Sequence, residues 1–157
     1  MKNPKVLKTS ELASRLAREK KRGRTIVFTN GVYDVIHAGH VTLLEKAKRL
    51  GDILVVGLIS DASVKRLKGS RRPVTHERDR AHVLAALESV DYIAIFGEDT
   101  PYEIIQKLKP DILVKGGDYS KDEIIGCDLV KKVVRIPLVK GRSTSALIKK
   151  VLDAYGK

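Results

Sequence analysis

The sequence lacks most of the features that would tie a small fold together covalently or anchor it in a membrane. It contains one cysteine, Cys127, among 157 residues, so no disulfide can form within the chain. No apolar run approaches the roughly 20 residues that a membrane-spanning helix needs, and no signal-peptide pattern is present. We therefore expect one domain over residues 1–157, with its own core and no membrane contact, in a reducing compartment, the cytoplasm.

Aromatic and acidic residues are scarce as well. There is no Trp, and the two Phe and five Tyr are too few for the stacking surface that binds single-stranded nucleic acids. The 31 Lys and Arg exceed the 19 Asp and Glu, and the resulting charge of +12 fits small polyphosphates as well as nucleic acid. We expect no nucleic-acid partner. A basic nucleic-acid-binding protein is the alternative of another class, and a nucleotide sensor without catalysis is a third.

Residues 29–40 are the most informative stretch, because an apolar run passes there through Asn30-Gly31 into a helical pattern. This order places backbone N–H groups and a helix N-terminus at the carboxyl end of a strand, where anions bind. His37 and His40 face the same side of the first helical turn, and Gly39 lets a ligand approach the backbone. The pattern predicts a phosphate site. The alternatives are an ordinary turn with two polar histidines, or a zinc pair with few further ligands available.

The alternation of apolar runs and helical patterns predicts an α/β fold, a Rossmann-like open parallel sheet of about five strands with helices on both faces. The predicted strands are residues 25–28, 53–59, 91–96, 111–115 and 133–138. The predicted helices include a covering helix at about 9–22, a short one after Ser60, and others over 41–48, 76–88 and 146–154. Thr100-Pro101-Tyr102-Glu103 predicts one more helix start, a capping box with proline at the first position.

A basic segment follows the second strand. Residues 65–73 contain five cations together with Gly69 and Pro73, a composition typical of a loop. Such a loop can clamp phosphates, and the alternative is a solvated surface loop. Its position after a parallel strand predicts that it emerges at the same edge of the sheet as His37 and His40.

Two later segments also follow strands at this edge. Gly116-Gly117 would let the backbone lie against a flat ligand, and Asp118 could accept its hydrogen bonds; the alternative is a tight turn with a helix cap. Residues 142–145 place hydroxyl groups at a helix N-terminus beside Arg142. They are either helix caps or a second cradle for anions.

Several of these segments resemble motifs of the HxGH nucleotidyltransferase superfamily. His37-Ala38-Gly39-His40 is similar to its first signature, preceded by the Gly-x-aromatic-Asp pattern as Gly31-Val32-Tyr33-Asp34. Residues 142–145 are similar to its second signature, with Ser145 in the last place. Lys68 matches the lysine of a mobile loop, and Arg80 matches an arginine placed eleven residues before the Asp of the next strand, here Asp91. The matched stretches occur in one order over nearly the whole chain.

The resemblance implies that a nucleotide triphosphate lies against the first turn. The implied catalytic residues are His37, His40, Lys68 and Arg80. The implied nucleotide-binding residues are Thr29, Asn30, Gly31, Val32, Tyr33, Gly39, Gly116, Asp118, Arg142, Ser143, Thr144 and Ser145. Asp34 is either an acceptor-side contact or an organiser of the turn. Mg²⁺ would accompany ATP and bridge its phosphate oxygens with few protein ligands, and a homodimer is expected because the superfamily is commonly dimeric.

Within the superfamily the chain most resembles the adenylyltransferase branch that joins AMP from ATP to heptose 1-phosphate, releasing pyrophosphate and giving ADP-heptose. The similarity rests on residues 29–31, 60–74 and 114–119 and on the N-terminal helix. Val32-Tyr33 stands where Cys-Phe is usual, and Ile59 replaces an Asn. The sister branches that use CTP with glycerol 3-phosphate, or ATP with FMN, are the alternatives.

Overall fold

The computed structural model describes residues 3–117, 120, 123–137, 141 and 144–156. The predictions for Asp118, Arg142 and Ser143 lie outside these residues. The described part forms five strands, β1 (Ile26–Gly31), β2 (Ile53–Ile59), β3 (Tyr92–Phe96), β4 (Ile112–Gly116) and β5 (Lys132–Ile136). Its α-helices are α1 (Thr9–Lys21), α2 (Ala38–Lys48), α3 (Asp61–Lys68), α4 (Glu77–Ala85), α5 (Tyr102–Leu108) and α6 (Thr144–Tyr155), and a 3₁₀ turn spans Cys127–Leu129.

The five strands form one parallel sheet in the order β3-β2-β1-β4-β5. The central strand is β1, from which the chain proceeds to β2 and β3 on one side and later to β4 and β5 on the other. The crevice outside the carboxyl ends of β1 and β4 is therefore the topological switch point, where open parallel sheets bind their ligands. The predicted Rossmann-like fold is confirmed.

Helices cover both faces of the sheet, because alternate residues of each strand point to opposite sides. Val27 of β1 belongs to a core cluster that also contains Leu44 of α2 and Leu84 of α4. Phe28, the next residue, belongs to a second cluster with Leu12 of α1 and the apolar side of α5. The sheet is thus buried on both faces, which explains its continuous apolar runs. No helix in the described part is both long and apolar enough to cross a membrane.

Several element boundaries differ from the sequence prediction; β1 continues to Gly31 rather than ending at residue 28, and α4 ends at Ala85 rather than at residue 88. The helix after Ser60 continues to Lys68, so the basic loop begins only at Gly69. The Ser60 hydroxyl caps the N-terminus of this helix by accepting a hydrogen bond from the Ser63 N–H at 3.3 Å. The predicted capping box at Thr100 is wrong, because α5 begins at Tyr102 without a side-chain cap. Glu103 instead pairs with Lys107 at 3.2 Å, one helical turn ahead. The last helix begins at Thr144 rather than at residue 146.

Candidate functional site

The two histidines of the first signature stand together where β1 passes into α2. His37 is the N-cap residue of α2 in extended conformation, and His40 lies in the first turn of the helix. Their rings are stacked with centroids 3.9 Å apart and planes 24° from parallel. Both side chains are half-buried at the carboxyl edge of the sheet. The structure therefore brings together the pair that the spacing predicted.

His40 is held in its neutral form by its surroundings. Burial, and to a lesser degree the neighbouring His37, together lower its pKa from 6.5 to about 4. At neutral pH the imidazole is therefore uncharged. It can donate or accept a hydrogen bond at a phosphate group, but it does not add a positive charge to the site.

We expect His40 to titrate near pH 4 when its ring is followed by NMR as the pH is lowered. Because the unfolded chain takes up this proton near pH 6.5, the folded state must lose stability relative to it between about pH 6.5 and 4. Urea unfolding at pH 7 and at pH 5 measures that loss, which should be smaller in a His40→Gln variant. A ring that titrates near 6.5 would contradict this assignment.

The buried side chain of Tyr33 packs near the ring of His40. Its backbone is left-handed, with φ of +50°, and its side chain is only 4% exposed. Its ring centroid lies 5.2 Å from that of His40. Gly31 is required beside it, because a Cβ there would meet the Tyr33 ring at 2.9 Å. Burial raises the pKa of the Tyr33 hydroxyl to about 12, so it stays protonated. Tyr33 and Thr29, which were both predicted to contact the nucleotide, thus have buried side chains.

Asp34 has a buried side chain that contacts the basic loop. Its carboxylate Oδ1 accepts hydrogen bonds from the backbone N–H groups of Val74 at 2.8 Å and Thr75 at 2.9 Å. Its Oδ2 lies 3.1 Å from the Nε of Arg72, and the side chain is 1% exposed. These contacts favour the alternative that Asp34 organises the turn, and its assignment to acceptor binding stays a prediction. The ion pair between Arg72 and Asp34 places the basic loop beside the first signature, as the order of the elements predicted.

Arg80 is placed differently from the prediction that it points at the phosphates. Its side chain is fully buried, and its Nη2 donates to Asp61 Oδ1 at 2.7 Å and to the Ile59 carbonyl at 2.9 Å. Nη1 donates to the carbonyl of Val32, and Nε to that of Thr75 at 3.0 Å. Although burial alone raises the pKa of Asp61, the hydrogen bond from Arg80 holds it below the ordinary value. In this structure Arg80 positions the turn and the loop.

The second signature reaches the first. Thr144 Oγ1, at the start of α6, donates to the backbone carbonyl of Val35 at 3.4 Å. The N-terminus of α6 therefore lies beside the turn that carries His37 and His40, with Ser145 exposed in the same helical turn. Lys68 is the exposed last residue of α3. The structure also describes four other predicted residues. Asn30 is the second-last residue of β1 and Val32 follows that strand, while Gly39 lies in the first turn of α2 and Gly116 ends β4.

The sequence reasoning missed Lys115. It lies in β4 beside β1, and its ammonium donates to Asn30 Oδ1 at 3.3 Å. Burial lowers its pKa. The available signal was a single cation at the end of the apolar run Ile112-Leu113-Val114, directly before Gly116-Gly117, a position that by itself indicates only the end of a strand.

The described residues contain no group of three or more His, Cys, Asp and Glu side chains placed to hold a metal ion. The zinc alternative for the histidine pair therefore finds no further ligands in that part of the chain. The arrangement is instead suited to phosphate groups, because the N-termini of α2 and α6 lie close together near the point where a parallel sheet reverses its strand order.

A site of this kind on this fold is typical of nucleotidyltransferases, and the chain belongs to the cytidylyltransferase-like family, whose model matches residues 28–150. Among curated proteins it is 56% identical over 141 residues to a bifunctional protein HldE from Syntrophotalea carbinolica, covering 87% of this chain and 29% of that protein. A bifunctional protein HldE from Helicobacter pylori is 54% identical over 149 residues, covering 95% and 32%. The chain thus spans about a third of the length of these relatives.

Two solved structures share the fold of this chain. The crystal structure of a lipopolysaccharide core biosynthesis protein from Thermoplasma volcanium is 31% identical with a TM-score of 0.65, covering 75% of this chain and all of the other. A pantoate-beta-alanine ligase from Francisella tularensis also has a TM-score of 0.65, covering 92% of this chain and 72% of the ligase. At 17% identity the second likeness shows the fold alone.

Proposed function

We propose that this chain transfers AMP from ATP to heptose 1-phosphate and releases pyrophosphate, giving ADP-heptose. The observation that carries the proposal is the meeting of the two signatures, where Thr144 contacts Val35 beside the stacked His37 and His40. The similarity to bifunctional HldE proteins over most of the chain supports the choice of branch. So does the resemblance of residues 60–74 and 114–119 to the same branch.

In the proposed reaction a phosphate oxygen of the acceptor attacks the α-phosphorus of ATP. The bond from this phosphorus to the bridging oxygen breaks, and pyrophosphate leaves with the electron pair. Such a transfer needs positioning and charge neutralisation rather than a covalent nucleophile. His37 and His40 would contact the α-phosphate and the leaving group, and Lys68 the developing charge. The second signature, residues 142–145, would hold the β and γ phosphates, while Arg80 and Asp34 keep the turn in place.

Mg²⁺ would enter with ATP. The described residues offer no carboxylate set for it, and both oxygens of Asp34 are engaged within the protein. These residues fit an ion held by the nucleotide phosphates and water, as Mg²⁺ often is. Its contribution would be to neutralise phosphate charge.

We also propose a homodimer acting in the cytoplasm. Light scattering at working concentration tests the dimer.

The test is pyrophosphate release with Mg²⁺, in which ATP and CTP are each combined with heptose 1-phosphate, glycerol 3-phosphate and FMN. Release with ATP and heptose 1-phosphate alone is expected. Release with another pair would move the chain to a sister branch and leave the mechanism in place. If no pair gives pyrophosphate, while oligonucleotides bind with a steep dependence on salt, the chain is a nucleic-acid-binding protein.

A further inference from the structure

The side chain of Lys115 has no acidic partner among the residues that the structure describes. It forms no ion pair with any Asp or Glu side chain in the ranges the structure describes, and its recorded side-chain partner is the neutral oxygen of Asn30 at 3.3 Å. Lys48 is a contrast, because it pairs with Asp91 at 2.6 Å. A partly buried ammonium without a counterion is costly, and an anion delivered to it recovers part of that cost.

The position of Lys115 identifies where such an anion would come from. Asn30 is the second-last residue of β1 and Lys115 lies in β4, and these neighbouring strands flank the switch point of the sheet. Their contact therefore lies near the switch point, where a parallel sheet binds its ligand. The N-terminus of α2, with His37 and His40, begins beyond the same end of β1.

We propose that Lys115 binds a phosphate oxygen of the nucleotide, with Asn30 orienting its ammonium toward the crevice. An ammonium has three N–H donors, and the bond to Asn30 occupies one of them. The others can point at the ligand without breaking that bond. This inference rests on the proposed function only in requiring that a nucleotide occupies the crevice.

The experiment compares equilibrium binding of ATP, AMP and adenosine to the wild type and to Lys115→Met, by calorimetry without acceptor. Methionine keeps the length of the side chain and removes the charge. ATP affinity should fall roughly tenfold or more, as expected for a lost charged hydrogen bond, while adenosine affinity changes less than about twofold. Lys46→Met, which removes an exposed lysine of α2, is the matched control and should bind like the wild type.

A second variant tests the missing counterion directly. Asn30→Asp would place a carboxylate beside the ammonium, and it should weaken ATP more than adenosine because the aspartate competes with the phosphate. Urea unfolding should find Lys115→Met no less stable than the wild type, since the variant removes an unbalanced buried charge.

Other results would overturn the inference. Equal weakening of ATP and adenosine, together with lower stability, would make Lys115 a structural support of the crevice. Unchanged ATP affinity would remove it from the site. Failure of the proposed reaction is distinguishable, because a protein that binds ATP through Lys115 without releasing pyrophosphate would keep this inference and lose the proposed function.

Discussion

Replacing His40 with alanine should lower turnover roughly a hundredfold or more, the scale of losing one preorganised hydrogen-bond donor. The stacked ring of His37 and the buried ring of Tyr33 hold His40 in place before any substrate arrives, so its orientation costs little at the moment of transfer. The measurement is the initial rate of pyrophosphate release with ATP, Mg²⁺ and heptose 1-phosphate at neutral pH.

The neutral state of His40 predicts which substitution should retain activity. Because its pKa is about 4, its contribution at neutral pH is a hydrogen bond and not a charge, so His40→Gln should retain more turnover than His40→Ala. His82→Ala is the matched control, since His82 is an exposed histidine of α4. Near-normal turnover in His40→Ala, with the fold intact by circular dichroism, would remove the histidine from the mechanism.

The second large effect is expected on stability. Arg80→Ala should lower the free energy of unfolding by about 3 kcal/mol or more, the usual cost of removing one partner of a buried ion pair. The variant leaves Asp61 without its guanidinium and the carbonyls of Val32, Ile59 and Thr75 without their donors. Urea unfolding followed by circular dichroism measures the loss.

Activity separates positioning by Arg80 from direct phosphate contact. Arg78→Ala, which removes an exposed arginine of the same helix, should change stability by less than about 0.5 kcal/mol. Arg80→Lys keeps the charge but cannot satisfy the same set of carbonyls, so it should also unfold more easily. If Arg80→Ala were instead as stable as the wild type but slow in transfer, the arginine would belong at the reacting phosphates.

Much of the fold could be predicted from local patterns. Strands buried on both faces appear as continuous apolar runs, and β2 was bounded correctly for that reason. Boundaries that depend on a particular hydrogen bond were less predictable. Residues 100–103 fit the capping-box pattern, yet Glu103 can also pair with Lys107 one helical turn later. The structure shows this ion pair and no side-chain cap.

The site was predictable where its residues are close in sequence and less so where they act across the fold. His37 and His40 lie on one turn, so spacing alone placed their rings together. The burial of Arg80 could not be predicted from its own helix, because it depends on carbonyls from three separate segments. Lys115 meets Asn30 only because β4 returns to pair with β1, which the sequence between them does not show.

The central place of β1 has a consequence for how the chain is made on the ribosome. Its two neighbours are β2, which follows soon after, and β4, which begins only at Ile112. Until β4 emerges, one long edge of β1 offers unpaired N–H and carbonyl groups flanked by apolar side chains, a template for association with other chains. Nascent or truncated products that stop after β3 should therefore aggregate, whereas products that include β4 bury this edge and complete the crevice at the same moment.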